Sequence, residues 1–279
     1  MEKYRRLRHA LVEAGLLRPD EITPVDPGPL APLLAVHDPA YVAALVEGTL
    51  SPAAQRRIGL PWSPAFVARA RASASATLAA TAAALTHGFA GNLSGGTHHA
   101  HRDFGSGYCA FNDLAVAARW LLDHGHAGRV LIFDVDVHQG DGTAALMADE
   151  PRVFTASVHG ARNFPFRKVE GDLDVDLPDG TEDVAYLAAV RDALARSLAA
   201  ARPDFVLVQG GVDPLDADRL GRLNVSAAGL HARDLHILST LRAAGLPVAY
   251  TLGGGYAEPI SATLSAHLGT YRAALQVFG

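Results

Sequence analysis

Short apolar runs rich in β-branched residues alternate along this chain with long alanine-rich stretches whose apolar positions recur at helical spacing. The runs "GFAGNL", "VLIFDVDV", "RVFTASV", "FVLVQGG" and "VAYTLGG" predict strands. Pro64 to Thr86, Asn112 to His124, Thr181 to Ala201, Ala227 to Ala244 and Glu258 to Phe278 predict helices. Strands that are apolar on both faces belong to parallel sheets covered by helices above and below. The expected fold is α/β: a single three-layer α/β/α domain over residues 1–279 with a mostly parallel central sheet. No internal repeat, low-complexity tract or long linker divides the chain. "TPVDPGPLAP" reads as a surface connection and "KYRRLRH" as the solvated face of a first helix. Several predicted strands run straight into polar or glycine-rich residues, and in open parallel sheets ligands sit beyond those carboxyl ends.

The stretch "FDVDVHQGDG", Phe133 to Gly142, breaks the apolar pattern at one such end. Side chains alternate along a strand, so Asp134, Asp136 and His138 share one face and Val135 and Val137 the other. Ionised carboxylates at the end of a buried strand are costly unless paired or bound to metal. Asp136 and His138, at i and i+2, can converge on one cation, and a catalytic zinc takes three protein ligands and leaves a position for water. "FVLVQGGVDPLDAD" offers the third: another apolar strand ends in Gly210 and Gly211 and then presents Asp213. Alone, Asp213 reads as a helix cap or loop brace. Beside Asp136 and His138 it reads as a metal ligand.

Two further stretches carry chemistry. In "LSGGTHHAHRD", Gly95 and Gly96 let the chain approach a centre closely before His98 and His99. Paired histidines titrate near neutrality and suit proton transfer, with Asp134 and Asp141 as acids to hold them. "TLGGGYAEP" closes another strand with three glycines and presents Tyr256, whose phenol can donate to a developing oxyanion.

Composition narrows the class. The chain is 49% hydrophobic and 19% charged, as expected of a compact soluble protein, and its net charge of −5 argues against a broad nucleic-acid surface. Cys109 is the single cysteine, which excludes an intramolecular disulfide and fits a reducing compartment, with cytoplasm expected. The N-terminal stretch "MEKYRRLRHALVEAGLL" does not read as a secretory signal, and no uncharged apolar run in the sequence approaches the length that spans a bilayer. The alanine- and arginine-rich composition points to a bacterial source.

In order, "VHDPAYV", "GGTHHA", "GYCAFND", "DVDVHQGDGT", "TASVH", "QGGVDPLDADRLGRLNVS" and "LGGGY" resemble the zinc-dependent histone deacetylase family, with its arginase-deacetylase fold. "HQGDG", "GTED" and "DRLG" are most similar to the class IV branch and its bacterial relatives. The resemblance implies that Asp136, His138 and Asp213 bind one zinc ion, that His98 and His99 are the catalytic pair supported by Asp134 and Asp141, and that Tyr256 polarises the acyl carbonyl. It implies Tyr108 and Phe164 as aromatic walls of an acyl-lysine tunnel, with Gly107 and Leu220 also at the substrate. A polyamine-selective branch carries glutamate where this chain has Leu220. A monovalent-cation site, potassium by the same resemblance, would use Asp134 and backbone carbonyls around Asp136, His138, Ser157 and Val158.

Two departures from the family pattern stand out: the sequence starts at the segment that matches after the family's usual first strand and loop, so either a longer chain precedes "MEKYRRLRHAL" or one wall of the tunnel mouth is missing, and "RIGLPWSPAF" shows no clear counterpart of the acid with which class I enzymes grip a peptide backbone.

The expected activity is hydrolysis of acetyl or longer acyl groups from lysine side chains in a protein or peptide. One alternative is a deacetylase of acylated polyamines or other small acylated amines. A dinuclear manganese ureohydrolase would need further carboxylates, and a non-catalytic acyl-binding protein would not need His98, His99 and Tyr256 together. The sequence leaves oligomeric state open.

Overall fold

The computed structural model describes residues 2–279. Among the described residues ten α-helices, α1 (Glu2–Glu13), α2 (Ala31–Leu34), α3 (Pro39–Glu47), α4 (Pro52–Ile58), α5 (Pro64–His87), α6 (Asp113–Asp123), α7 (Asp141–Met147), α8 (Asp183–Ala201), α9 (Ala227–Ala243) and α10 (Ile260–Phe278), flank six strands. The strands are β1 (Phe89–Asn92), β2 (Val130–Asp134), β3 (Val153–Gly160), β4 (Leu173–Leu177), β5 (Phe205–Gln209) and β6 (Val248–Thr251). They form one sheet in the order β1-β6-β5-β2-β3-β4, every pairing parallel. No described helix is long and apolar enough to cross a membrane.

Alternation along the central strands builds the layers. Val130 and Ile132 of β2, with Phe205 and Leu207 of β5, face a core made with α3, α5 and α6. Leu131 and Phe133 of β2, with Val206 and Val208 of β5, face a second core made with α8, α9 and α10. Helix α1 packs on α10 through Leu7, Leu11 and Tyr271.

From β1 the chain jumps to β2 in mid-sheet, steps outward to β4, then returns to β5 on the other side of β2. The β2–β5 boundary is thus a topological switch point, where connections leave in opposite directions and open a crevice at the strands' carboxyl ends.

The expected strand through Val137 is shortened: the β2 ladder ends at Asp134. Alternation nevertheless persists, because Val135 N–H donates to Gln209 O at 2.9 Å, Gly160 N–H donates to Val137 O at 3.0 Å, and both valines remain in the second core. The basic face of α1 is also corrected at one residue. Arg5, Arg6, Arg8 and His9 are exposed, but Lys3 is buried and donates from Nζ to Gly253 O at 3.1 Å.

Candidate active site

Beyond the ends of β2 and β5, Asp136, His138 and Asp213 converge, all buried, with ligating atoms within 4.8 Å of one another. His138 Nδ1 lies 3.0 Å from Asp136 Oδ1 and 3.1 Å from Asp213 Oδ2. Backbone groups complete the cradle: Asp213 Oδ1 accepts from Val137 N–H, and Asp136 Oδ2 accepts from Gly254 N–H at 2.8 Å. A Cβ on Gly254 would run into both carboxylates, so this turn requires glycine for close approach rather than for flexibility.

The electrostatics favour a cation. Burial opposes charge on His138, but hydrogen bonds to Asp136 and Asp213 outweigh it and push its pKa up to about 11. Burial, then the charge of Asp136, raises Asp213 to about 7. Two buried carboxylates, both within hydrogen-bond distance of the imidazole between them, draw a proton onto it. One nitrogen and two carboxylate donors at this spacing fit a zinc site with a position left for water or substrate.

His98 and His99 stand beside this cluster, ring centroids 4.1 Å apart. His98 Nδ1 donates to Asp134 Oδ2 at 2.6 Å and His99 Nδ1 donates to Asp141 Oδ1 at 2.6 Å. Burial opposes charge on His98, yet Asp134 and then Asp136 raise its pKa to about 9. Burial and then the positive charge of His98 lower His99 to about 4. The pair is therefore divided near neutrality into an imidazolium and a neutral imidazole.

A tight turn builds the mouth. Ser106 and Cys109 exchange backbone hydrogen bonds, and between them Gly107 (φ 52) and Tyr108 (φ 67) both take positive φ, as in a type I′ turn. Gly107 presses on the His99 ring, where a Cβ would collide with Cδ2. Tyr108 is held outward, its ring 6.1 Å from that of Tyr256. Phe164 meets His99 edge to face at 4.9 Å. Leu220, exposed, adjoins the Phe164 loop through the bond from Asn163 Nδ2 to Leu220 O. Tyr256 is 37% exposed, yet its phenol is shielded enough that lost hydration, then Tyr4, Asp213 and Asp136, hold its pKa well above the ordinary value. Its hydroxyl stays a donor. Burial likewise raises the Cys109 thiol, which leaves it a packing residue.

The potassium expectation gains nothing from these contacts. Ser157 lies opposite Asp134 in the β2–β3 register, and its hydroxyl is hydrogen-bonded with His159 Nδ1 at 2.9 Å.

Sequence reasoning passed over the residues that hold the histidine loop. Asp113, buried at the start of α6, accepts from Gly96 N–H, Thr97 N–H and the hydroxyls of Thr97 and Thr77. Asn112 caps α6 at Ala115 N–H and donates to the carbonyls of His98 and Ala100. Gln209 of β5 donates to Gly96 O. The signal available was Asn-Asp at a predicted helix start, followed by an apolar run that leaves both side chains without water.

Comparison with known proteins agrees with this geometry. The histone deacetylase domain matches residues 1–270. An uncharacterized protein of Picosynechococcus sp. is 45% identical over 278 residues, covering all of this chain and 93% of that protein. Histone deacetylase 2 of Arabidopsis thaliana is 28% identical over 255 residues, covering 88% of this chain and 64% of the plant protein, so the chain spans less than two thirds of that relative. Among solved structures, an HDAC homolog from Aquifex aeolicus superposes with TM-score 0.82 at 26% identity over 96% of this chain and 76% of that one. An acetylpolyamine aminohydrolase from Burkholderia pseudomallei shares the fold, with TM-score 0.78 at 24% identity over 100% of this chain and 91% of that one. With a family match from end to end of the sheet and a buried Asp-His-Asp cluster at its switch point, this chain belongs to the histone deacetylase family.

Proposed function

We propose that the chain is one catalytic domain that hydrolyses the amide of acyl-lysine side chains in peptides or proteins, with zinc held by Asp136, His138 and Asp213. The observation that carries this reading is the adjacency of that buried trio to two separate His–Asp pairs under an aromatic mouth. Bound there, zinc would supply Lewis acidity toward the acyl oxygen and lower the pKa of a water molecule.

The residues of the chain supply the rest. His99, neutral and oriented through Nδ1, has Nε2 left to take a proton from the attacking water and return it to the leaving amine. His98, charged beside Asp134, offers a positive field to the charge that develops. The Tyr256 hydroxyl donates to the acyl oxygen as it becomes negative. Tyr108 and Phe164 give the four-carbon lysine stem apolar faces, and Leu220 withholds the carboxylate that a polyamine's second ammonium would seek.

The test is turnover of a lysine peptide bearing acetyl, octanoyl or myristoyl groups beside acetylated polyamines. Tyr256→Phe should keep zinc and lose about 100-fold or more in kcat, the scale of one oxyanion donor. Asp213→Ala should lose the metal. Strong preference for acetylated polyamines would replace lysine as the substrate class, and full turnover by Tyr256→Phe would remove the phenol from the chemistry.

A further inference from the structure

Asp141 holds two histidines, and the chemistry above uses one. Its Oδ1 accepts from His99, and its Oδ2 accepts from His101 Nε2 at 3.0 Å. His101, the third imidazole of "THHAH", reaches nearer to solvent, its side chain 15% exposed against 6% for His99. It is fixed independently of Asp141. The ring stacks on Phe104 with centroids 4.3 Å apart, and the Arg57 guanidinium lies 4.4 Å from the Phe104 centroid. Its N–H donates to Phe104 O at 2.9 Å, and its carbonyl accepts from His37 Nδ1 at 2.8 Å.

An ionised carboxylate only accepts, and an oxygen left bare in a buried site costs the full loss of its hydration. With one partner the Asp141 carboxylate could turn about its last torsion, and the His99 ring would turn with it. With donors on opposite oxygens the plane is set. A donor on Oδ2 also draws negative charge away from the oxygen that faces His99.

We infer that His101 is a positioning residue of the reaction: by donating from Nε2 to Asp141 Oδ2 it fixes the carboxylate plane and shares the charge that orients His99 for proton transfer. This rests on the proposed role of His99. A brace for the loop alone would need only the stack and the two backbone bonds, which a phenyl ring at position 101 preserves.

The test compares His101→Phe with His101→Gln in the zinc-loaded protein on an acetyl-lysine peptide. His101→Phe keeps the stack and loses the donor; His101→Gln keeps a donor amide within reach of Oδ2. Removing an outer hydrogen-bond partner of a site residue lowers activity about tenfold or more. We expect a fall of that size in kcat for His101→Phe, KM within about twofold, unchanged zinc content, and recovery of most of the loss in His101→Gln. Wild-type kcat in His101→Phe, or equal losses in both variants, overturns the proposal.

A second readout stands apart from turnover: the far-downfield proton of His99 Nδ1, assigned in 15N-histidine-labelled protein. It should persist in the wild type and in His101→Gln, and shift or exchange away in His101→Phe. An unchanged signal in His101→Phe overturns the positioning role. If the wild type turned over no acyl-amine while this signal behaved as expected, the functional reading would fail and only the hold of His101 on the Asp141–His99 pair would stand.

Discussion

His37 is required to be neutral by its neighbours. Its Nδ1–H donates to His101 O while its Nε2 accepts from Asn112 N–H at 2.9 Å, so a second ring proton would point at a donor. Burial lowers its pKa to about 4, against the backbone bond to His101. The unfolded chain, with His37 near 6.5, binds the proton first as pH falls. The contribution is therefore fully present above about pH 6.5 and is lost as pH falls through about 4, to a limit of about 3 kcal/mol. Urea unfolding of the wild type and His37→Gln from pH 7.5 to 4 should show the wild type losing about that much more stability. Equal slopes would mean that His37 titrates normally in the folded chain. Its role was not legible in "VHDPAYV", because nothing local distinguishes a histidine that latches a distant loop from a solvated one. His98, His99, Asp136 and His138 were legible because their polar side chains interrupt apolar periodicity at a strand end or follow a glycine pair.

At the scale of elements, helices α5, α6, α8, α9 and α10 were readable within two residues of their ends, because each is long enough for its apolar spacing to repeat. Helices α3 and α4 were missed although each opens, as α5 does, on a capping side chain followed by proline: Asp38 and Pro39, Ser51 and Pro52, Ser63 and Pro64. They are too short to show a period. Strand β4, "LDVDL", was missed because it lies at the sheet edge, half-buried, and its two aspartates read as loop. Helix α9 holds the least visible support of the site. Arg233, fully buried, donates to the carbonyls of Val135, Gly210 and Gly211, the chain just before Asp136 and Asp213, while Asp234 Oδ1 accepts from its Nε at 2.8 Å. Removing one partner of such a pair strands a buried charge, at about 3–5 kcal/mol. Arg233→Met should lose stability on that scale, and adding Asp234→Asn should recover part of it, since the amide oxygen can accept from one of the Tyr250 and Thr270 hydroxyls while the amide N–H donates to the other. Purely additive losses in denaturant unfolding would mean that the two charges act separately.

Across the whole molecule, the site joins segments far apart in the chain: Lys3, the 98–101 loop, the ends of β2 and β5 and the glycine turn after β6. What brings them together is the reversal of connection direction between β2 and β5, which no stretch of sequence states locally. The same topology predicts how metal and fold are linked. Asp136 and Asp213 lie beyond the ends of adjacent parallel strands whose connections lead to opposite sides of the sheet, so a cation bound by both ties the two halves of the sheet across the crevice. Without one, like charges crowd there and Asp213 is raised to about 7, burial and Asp136 both contributing. Binding to the folded state alone stabilises it by about 4 kcal/mol at a free metal concentration 1,000 times Kd. For a chain of this length that corresponds to a rise of about 8 °C in Tm over chelator-treated protein. Asp213→Ala should melt at one temperature with or without zinc, while Tyr256→Phe, which lies at the mouth and outside the trio, should keep the full shift. Stoichiometric zinc with no change in the wild-type Tm would place the ion outside this crevice and leave the convergence of Asp136, His138 and Asp213 to be explained by His138 alone as their counter-charge.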